Sequence, residues 1–584
     1  MKDIIVGIDL GTTNSVIAYV KDGQPVVIKD GDQSILPSVV GLAPDGKILV
    51  GEAARNQFLI YPERTVRSIK RKMGKDERVT MGDKSYTPQE VSAIILLRLK
   101  KIAEAHLGHA VTKAVITVPA YFSDAQRKAT KEAGEIAGFE VMRIINEPTA
   151  AALTYEAGHT DSKKILVYDL GGGTFDVSVV QIQGGVVEVL SGHGNNHLGG
   201  DDFDEKIVEK ICAEFQEAYG VDLKSTARSH ARLVRASEDA KIYLSDNPFA
   251  RIQEEFIIEK NGTPLHLDNE LARTDYEDLI RSYLNETLDC THIALRGANL
   301  SAREIDTILL VGGATRTPMV AHLLAEKFGM EPKHEVSPEL CVALGAAIQG
   351  AMIAGEPVSS VLVDITPYTF GTSVLGEING MPTSMKYAPI IHKNTALPVS
   401  KSDVFYTHDD EQEAAHIKVY QGENQDARRN IFLGDFMVEG LSPVPAGNEI
   451  VIRFDLDLNG ILNVTATEKI TGLEKNIRIE NAMSKLDARE ISVARNRIAA
   501  YFDDVIEEEG SDLAAHEGID SNVRQRAEGL IARARVKLEE ARPEDRDEIE
   551  TLLKDIHDGL ANGDSDAVED AMTNLEDILF FLES

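Results

Sequence analysis

Two stretches of this chain set an aspartate before a glycine turn and threonines: Ile8-Asp9-Leu10-Gly11-Thr12-Thr13-Asn14 and Tyr168-Asp169-Leu170-Gly171-Gly172-Gly173-Thr174-Phe175-Asp176. Glycine lets a turn between strands approach phosphate oxygens closely, so that backbone N–H groups and threonine hydroxyls can donate to the anion. The aspartates are expected to face a bound metal. Mg²⁺ prefers oxygen ligands and keeps several waters, so carboxylates often hold it through those waters. The two segments share one pattern and lie in separate halves of a long region. They read as paired phosphate loops gripping a nucleoside triphosphate from both sides.

A third glycine turn, Val311-Gly312-Gly313-Ala314-Thr315-Arg316, follows an apolar strand and completes a set that could surround a nucleotide. Glu147 stands where Ile145-Asn146-Glu147-Pro148 opens an alanine-rich helix, and proline is well tolerated there. Charge complementarity at a helix N-terminus is its simplest role. With the other loops present, Asp9, Glu147 and Asp169 suit a metal held through water. A lysine near the terminal phosphate would offset developing charge and help position the attacking water. Neither the P-loop lysine motif nor GxGxxG occurs, which removes the P-loop and dinucleotide readings. His193 and His197 stand four apart without an HExxH pattern, and a role other than metal ligation is expected of them.

The elements that must position these groups follow from texture. Up to about residue 355, β-rich segments at 4–8, 114–118, 165–168 and 307–311 alternate with helical patterns such as 89–105, which is α/β. A short apolar stretch ending Val361-Leu362-Val363-Asp364 reads equally as an edge strand or as a functional linker. Beyond Pro367, Ile450, Ile452, Phe454, Leu456 and Leu458 alternate with polar residues before Asn459-Gly460, a two-residue hairpin signal. Ala415, Ile417 and Val419 alternate likewise, predicting an antiparallel β domain with one buried face. From about Ser484 apolar residues recur at helical spacing: Ile491, Ala494, Ile498, Tyr501 and Val505, then stripes over 523–538 and 549–560, and last Val568, Met572, Leu575, Leu579 and Leu582. A pivot is expected near Gly510 and Gly518.

At 584 residues the chain is too long for one core, and several domains are expected. A formal net charge of -34 argues against nonspecific binding to nucleic acid or anionic lipid, which depends on a basic surface. The run Lys70-Arg71-Lys72 reads by default as a short solvated cluster. Cys212, Cys290 and Cys341 show no metal-ligand spacing and fit a reducing cytoplasm. No stretch reaches the roughly 20 apolar residues that cross a bilayer, and Asp9 interrupts the apolar N-terminus, against a signal sequence.

The motifs GIDLGTTNS, VPAYFSDAQRKAT, INEPTAAAL, VYDLGGGTFD, HLGGDDFD and VGGATR, in this order, resemble the seventy-kilodalton heat-shock chaperones of the DnaK type. YAPIIHKNTALPVS and VYQGEN look closer to the HscC-like bacterial branch. The resemblance implies a multidomain chain: an actin-like, two-lobed α/β ATPase domain (1–355), a linker (356–366), an antiparallel β-sandwich that binds extended peptide (367–481) and a C-terminal helical lid (482–584). It implies ATP or ADP with Mg²⁺ and K⁺ as cofactors.

Carried over position by position, the resemblance implies phosphate contacts at Gly11, Thr12, Thr13, Asn14, Gly171 to Thr174, Gly199 and Gly200. It implies adenosine contacts at Glu238, Lys241, Ser245, Gly312, Gly313 and Arg316. Glu339 stands where an aspartate is usual near the adenosine. Asp9 and Asp176 would line potassium sites, with metal contacts also at Asp169 and Glu147. Lys70, in SIKRKMG, falls at the catalytic lysine, with Asp169 orienting water and Glu147 and Thr174 completing the catalytic set. Pro119 and Arg127 match the switch that reports nucleotide state. Arg143, Asn146 and Asp364 match positions that meet J-domain cochaperones, and Val361, Leu362 and Val363 form the apolar docking strip, with Ser359 and Ser360 replacing an acid and an aliphatic residue. Phe405, Ile417 and Ile450 match peptide-pocket positions. Thr372, Leu375, His408 and Ala415 fall where the housekeeping member carries larger aliphatics, methionine or a small arch residue. Ala415 is expected to widen the central pocket and His408 to make its arch more polar. No arginine lies between Pro443 and Gly447 to latch a lid.

The expected partners are unfolded or extended clients and a J-domain cochaperone, with room for a nucleotide exchange factor, acting on a cytoplasmic monomer. A sugar-kinase-like enzyme or a filament subunit of the same fold would use the phosphate loops equally well. Neither needs the β domain and helices that follow Val363.

Overall fold

The computed structural model describes residues 4–156, 162–333, 337–356, 361–478 and 488–509, with isolated positions between 527 and 578. The chain divides into two compact units, Met1–Ile498 and Ala499–Ser584.

Each aspartate turn joins two antiparallel strands. Ile5–Leu10 returns as Asn14–Lys21, with Asp9 opposite Val16. Lys163–Leu170 returns as Phe175–Gln183, with Asp169 opposite Asp176. In both cases the aspartate strand has a parallel neighbour on its other side, Lys113–Val118 in the first lobe and Thr307–Val311 in the second. The repeated sequence pattern is therefore a repeated topology, and it sets the two loops at corresponding ends of two sheets. These strands are nearly continuous apolar runs because helices cover both faces.

Two helices, the alanine-rich Glu147–Glu156 and the alanine- and glycine-rich Cys341–Ile353, pack together between the sheets. Their small residues are required by the approach. A Cβ on Gly345 would lie 1.7 Å from the Ala150 carbonyl oxygen, and one on Gly7 would lie 2.0 Å from the Ala347 nitrogen. Around them Val115, Ile145, Val167, Val311 and Ala346 form a core shared by both lobes. A second core, with Tyr168, Phe175, Phe203 and Ile280, lies on the outer side of the second sheet.

The segment Val361–Val363 is the outermost strand of the second sheet, parallel to Val186–Asn195 with Leu362 opposite Val187. Of the two readings of this stretch, the edge strand of the α/β region is the one observed. Ser359 and Ser360 lie outside the described residues.

That block is a sandwich of two antiparallel four-stranded sheets. One is ordered Met381–Ile391, Phe370–Ile378, Ala414–Gln421, Ile431–Glu439; the other Val399–Tyr406, Glu449–Leu456, Leu462–Glu468, Glu474–Arg478. Ile450, Ile452, Phe454 and Leu456 point into its core as their alternation predicts. Leu458 does not continue the pattern and is 45 % exposed. The expected two-residue turn at Asn459-Gly460 is instead a longer loop between Leu456 and Leu462. Asp457 organises it, its Oδ1 accepting the N–H groups of Asn459 at 2.8 Å and Ile461 at 2.9 Å. An aspartate that caps its own turn outcompetes the shorter hairpin.

Helix Ala488–Glu509 begins on the first lobe, with Ala494 and Ile498 buried as the 3.6-residue stripe requires. In the unit Ala499–Ser584, Ala527, Leu530, Ala534, Ile549, Ile556, Val568, Met572 and Leu575 form one apolar cluster. Gly510, Gly518, Leu579 and Leu582 lie outside the described residues.

Candidate functional site

A cavity of about 360 Å³ opens between the two lobes. Asp9, Gly11, Thr12, Thr13 and Asn14 reach it from the first glycine turn, and Asp169, Gly171, Gly172 and Thr174 from the second. The helix at Ala227–Leu244 brings Glu238 and Lys241, with Ser245 just beyond it. Gly312, Gly313 and Arg316 come from the third turn, and Gly200, Lys70, Glu147 and Glu339 complete the predicted set lining it. Gly173, Gly199 and Asp176 stand behind the wall. A Cβ at Gly199 would lie 2.6 Å from the Gly172 backbone, and one at Gly173 would lie 2.7 Å from Thr12 Cγ2. These two glycines therefore hold the loops at packing distance.

The two loops meet across the cleft. A Cβ on Gly172 would lie 1.9 Å from Thr13 Oγ1, and that hydroxyl is buried with no hydrogen-bond partner. An orphaned donor among glycine amides is the donor set that a phosphate oxygen completes.

One end of the cavity is a buried ionic cluster. Lys70 Nζ lies 2.5 Å from Glu147 Oε1, and both side chains are buried. Asp9 accepts from Thr117 Oγ1 at 3.1 Å, and Asp176 from the Tyr121 N–H at 2.9 Å. Burial, reinforced by Glu147, pushes Asp9 and Asp176 up to about 7, and holds Asp169 well above the ordinary carboxylate range. Four carboxylates share one lysine, so the cluster favours cations. Among the described residues no three carboxylate, histidine or cysteine side chains converge tightly enough to enclose a metal alone.

Apolar side chains, Ile35, Ile242, Pro338 and Val342, also line the cavity. Arg316 closes it through a bidentate pair with Glu339, 2.5 Å and 2.9 Å, and Ser337 Oγ donates to Glu339 at 2.7 Å. The glutamate's extra methylene spans to the guanidinium.

Residues outside the predicted set clamp the cleft. Arg67 pairs with Glu238 at 2.9 Å, with Arg55 at 3.4 Å from the same carboxylate. Arg71 pairs with Asp202 and donates to the Gly173 carbonyl at 3.1 Å. Ser68 holds a left-handed backbone, φ 51°, while its Oγ donates to Asp201 at 2.6 Å. The solvated reading of Lys70-Arg71-Lys72 is thus corrected: Lys70 is buried, Arg71 spans the cleft and only Lys72 faces solvent. Apart from the resemblance that singled out Lys70, the run itself carried no sign of this, since the partners of Lys70 and Arg71 lie more than 70 residues away while Lys72 pairs locally with Glu77.

A chain of polar contacts leads out of the site. Pro119 is buried in the turn before Phe122. Arg127 donates to the Ala120 carbonyl at 2.9 Å, the Phe122 carbonyl at 3.2 Å and Asn146 Oδ1 at 2.6 Å. Asn146 Nδ2 donates to both Asp364 oxygens at 2.9 Å. Asn146 and Asp364 are buried against each other, while Arg143 is half-buried. His193 packs edge-on against Tyr121, with ring centroids 5.0 Å apart.

In the sandwich, Phe370–Ile378 pairs with Ala414–Gln421 only over Phe370 to Thr372, after which the strands part. Thr372 Oγ1 closes the fork by donating to the Lys418 carbonyl at 2.8 Å. Beyond it, Leu375 is 60 % exposed at a bulge and Ala415 is half-buried on the opposing strand. Ile417 and Ile450 lie in the core, and Phe405 pairs with Ile450 across strands. His408 is exposed in the loop that follows.

A sequence model described as Hsp70 protein matches residues 5–582. The Chaperone protein DnaK of Thermotoga neapolitana is 45 % identical over 590 residues, covering 98 % of this chain and 96 % of its own. That of Thermotoga maritima matches to the same extent. That of Thermosipho africanus is 43 % identical over 580 residues, covering 96 % of this chain and 93 % of its own.

Proposed function

Since the chain belongs to the Hsp70 protein family, we propose that its inter-lobe cavity is an ATP switch whose output is affinity for extended peptide in the sandwich. The chain is an ATP-dependent chaperone and an ATPase. The observation that carries the switch is the strand Val361–Val363, which lies between the ATPase lobes and the sandwich and pairs with the nucleotide sheet. Any shift of that sheet moves it. Coupling of this kind needs a ligand with different affinity for two global states, and the docked strand is the element that can be bistable.

The phosphates lie between Gly11 to Asn14 and Gly171 to Thr174, with the adenosine toward Glu238, Lys241, Ser245, Gly312, Gly313, Arg316 and Glu339. Asp9, Glu147 and Asp169 would hold Mg²⁺, and Asp9 and Asp176 would hold K⁺. Bound Mg²⁺ would neutralise phosphate charge. Lys70 stabilises charge developing on the transferred phosphoryl group, while Asp169 and Thr174 orient the attacking water. An extended peptide adds its backbone to the edges left unpaired where the strands part after Thr372, and an aliphatic side chain enters beside Ala415. The domain limits are 1–355, 356–366, 367–481 and 482–584. A J-domain cochaperone acts near Arg143, Asn146 and Asp364, an exchange factor resets the nucleotide, and the monomer works in the cytoplasm.

The test is Lys70→Ala. Hydrolysis should fall by roughly 100-fold or more while ATP still binds and still accelerates release of a labelled peptide. Normal turnover in this variant removes Lys70 from catalysis; absence of any ATP effect on peptide release in the wild-type chain removes the switch.

A further inference from the structure

The seam between the ATPase lobes and the sandwich buries an acid that the nucleotide switch does not use. Asp124 opens the helix Asp124–Ile136 and is 1 % exposed. Its Oδ1 accepts the Leu462 N–H of the sandwich at 3.3 Å, and its Oδ2 has no hydrogen-bond partner. Gln421, at the end of the strand Ala414–Gln421, is also 1 % exposed, and its Oε1 is likewise unpartnered. Both side chains line one small cavity of about 10 Å³ together with Arg127, Tyr368 and Gly460. That volume is roughly the size of a single water site.

Two buried oxygens with no donor are costly unless a hydrogen is placed on them. Arg127 is committed to the Ala120 and Phe122 carbonyls and to Asn146. Lys128, one turn along the same helix, lies 3.7 Å from Glu132. Across the seam Asp457 adds negative charge, and Tyr368 is a neutral phenol. The helix N-terminus favours a charged carboxylate here, but Ser123 fills the cap and the Asp124 carboxylate bonds instead to a backbone N–H across the seam. Full burial of an ionised carboxylate with a bare oxygen opposes the charge more strongly.

We propose that docking of the sandwich onto the ATPase lobes takes up one proton from solvent at Asp124, the acid so formed donating to Gln421 Oε1 directly or through one water in the shared cavity. Docking is then linked to pH. Burial, with a smaller push from Asp457, raises Asp124 from 3.8 to about 7 against the opposing pull of Leu462 N–H, Lys128 and Arg127. The sign follows from proton counting. Between about pH 4 and about pH 7 the docked state binds more protons than the undocked one, so docking weakens as pH rises through that window.

The experiment uses the full chain, with and without ATP, carrying one dye on the ATPase lobes and one on the sandwich. The docked-to-undocked ratio is read by energy transfer from about pH 5 to about pH 8. A fall of roughly 50-fold between pH 5 and pH 7 is expected. Asp124→Asn, the neutral isostere, should abolish this dependence while leaving the melting temperature near wild type. Gln421→Met should lower docking at the acid end, because the acid proton loses its acceptor. A flat wild-type profile overturns the inference, as does an Asp124→Asn variant that titrates like wild type. If ATP has no influence on docking while the pH dependence holds, the nucleotide switch fails and the proton linkage stands.

Discussion

At the scale of single residues, the decisive contact is the one between the loops. Gly172 leaves just enough space for Thr13, and an added methyl would overlap its hydroxyl at 1.9 Å from Oγ1. Gly172→Ala must therefore push the loops apart. Overpacking of this kind costs about 1–3 kcal/mol, so calorimetric titration should show ATP binding weakened roughly 5- to 150-fold, with the melting temperature of the nucleotide-free chain little changed. Unaltered ATP affinity would show that the loops do not close on the phosphates together. The residue types here were readable in sequence because glycine, threonine and aspartate at this spacing serve few other ends. The clamp formed by Arg67 with Glu238 and Arg71 with Asp202 was not. Its halves belong to different lobes, and nothing local distinguishes a cleft-spanning arginine from a solvated one.

At the scale of elements, the strand Val361–Val363 separates two residues that sequence treats alike. Leu362 is half-buried against the shared core, whereas Val361 is 56 % exposed. An aspartate at Leu362 must either bury a charge or pull the strand off the sheet, and burial of a leucine is worth roughly 1.5–3 kcal/mol. Leu362→Asp should abolish the effect of ATP on peptide release, and Val361→Asp should cause a clearly smaller loss. Stopped-flow release of a fluorescent peptide, with and without ATP, measures both. Equal losses would mean that backbone pairing rather than the leucine carries the signal. Alternating apolar residues had marked the strands of the sandwich, since burial of one face imposes a period of two. The fork after Thr372 left no such trace, because which edge stays unpaired depends on hydrogen-bond partners that the side-chain pattern does not encode. The loop at Asp457 was misread for a related reason: Asn-Gly is a strong two-residue turn signal, but an upstream aspartate capping two amides reset the register.

At the scale of the whole molecule, the order of the blocks was legible because each changes the hydrophobic period, while their docking was not, because seams are made of polar contacts between distant segments. The helix Ala488–Glu509 illustrates this. Its apolar stripe accounts for Ala494 and Ile498, yet two arginines on it reach the first lobe: Arg495 donates to the Glu135 carbonyl at 3.1 Å, and Arg497 pairs with Glu90 while its guanidinium lies 5.3 Å from the Tyr86 ring centroid. Glu90 is itself fixed, its Oε2 accepting the Thr87 N–H at 2.7 Å in the capping box of the helix Pro88–Leu107. The start of the proposed lid is thus bonded to an already rigid acid of the ATPase domain. If this contact helps hold the lid away from peptide, Arg497→Ala should weaken the open state by about 1–2 kcal/mol. The peptide off-rate with ATP should then fall roughly 5- to 30-fold toward its ATP-free value. ATP affinity and the rate of a single hydrolytic turnover should stay near wild type, because Arg497 touches no residue of the cavity. An off-rate that keeps its full response to ATP would assign the opening of the peptide site to the sandwich fork and the strand at Leu362, with the helix a passive follower.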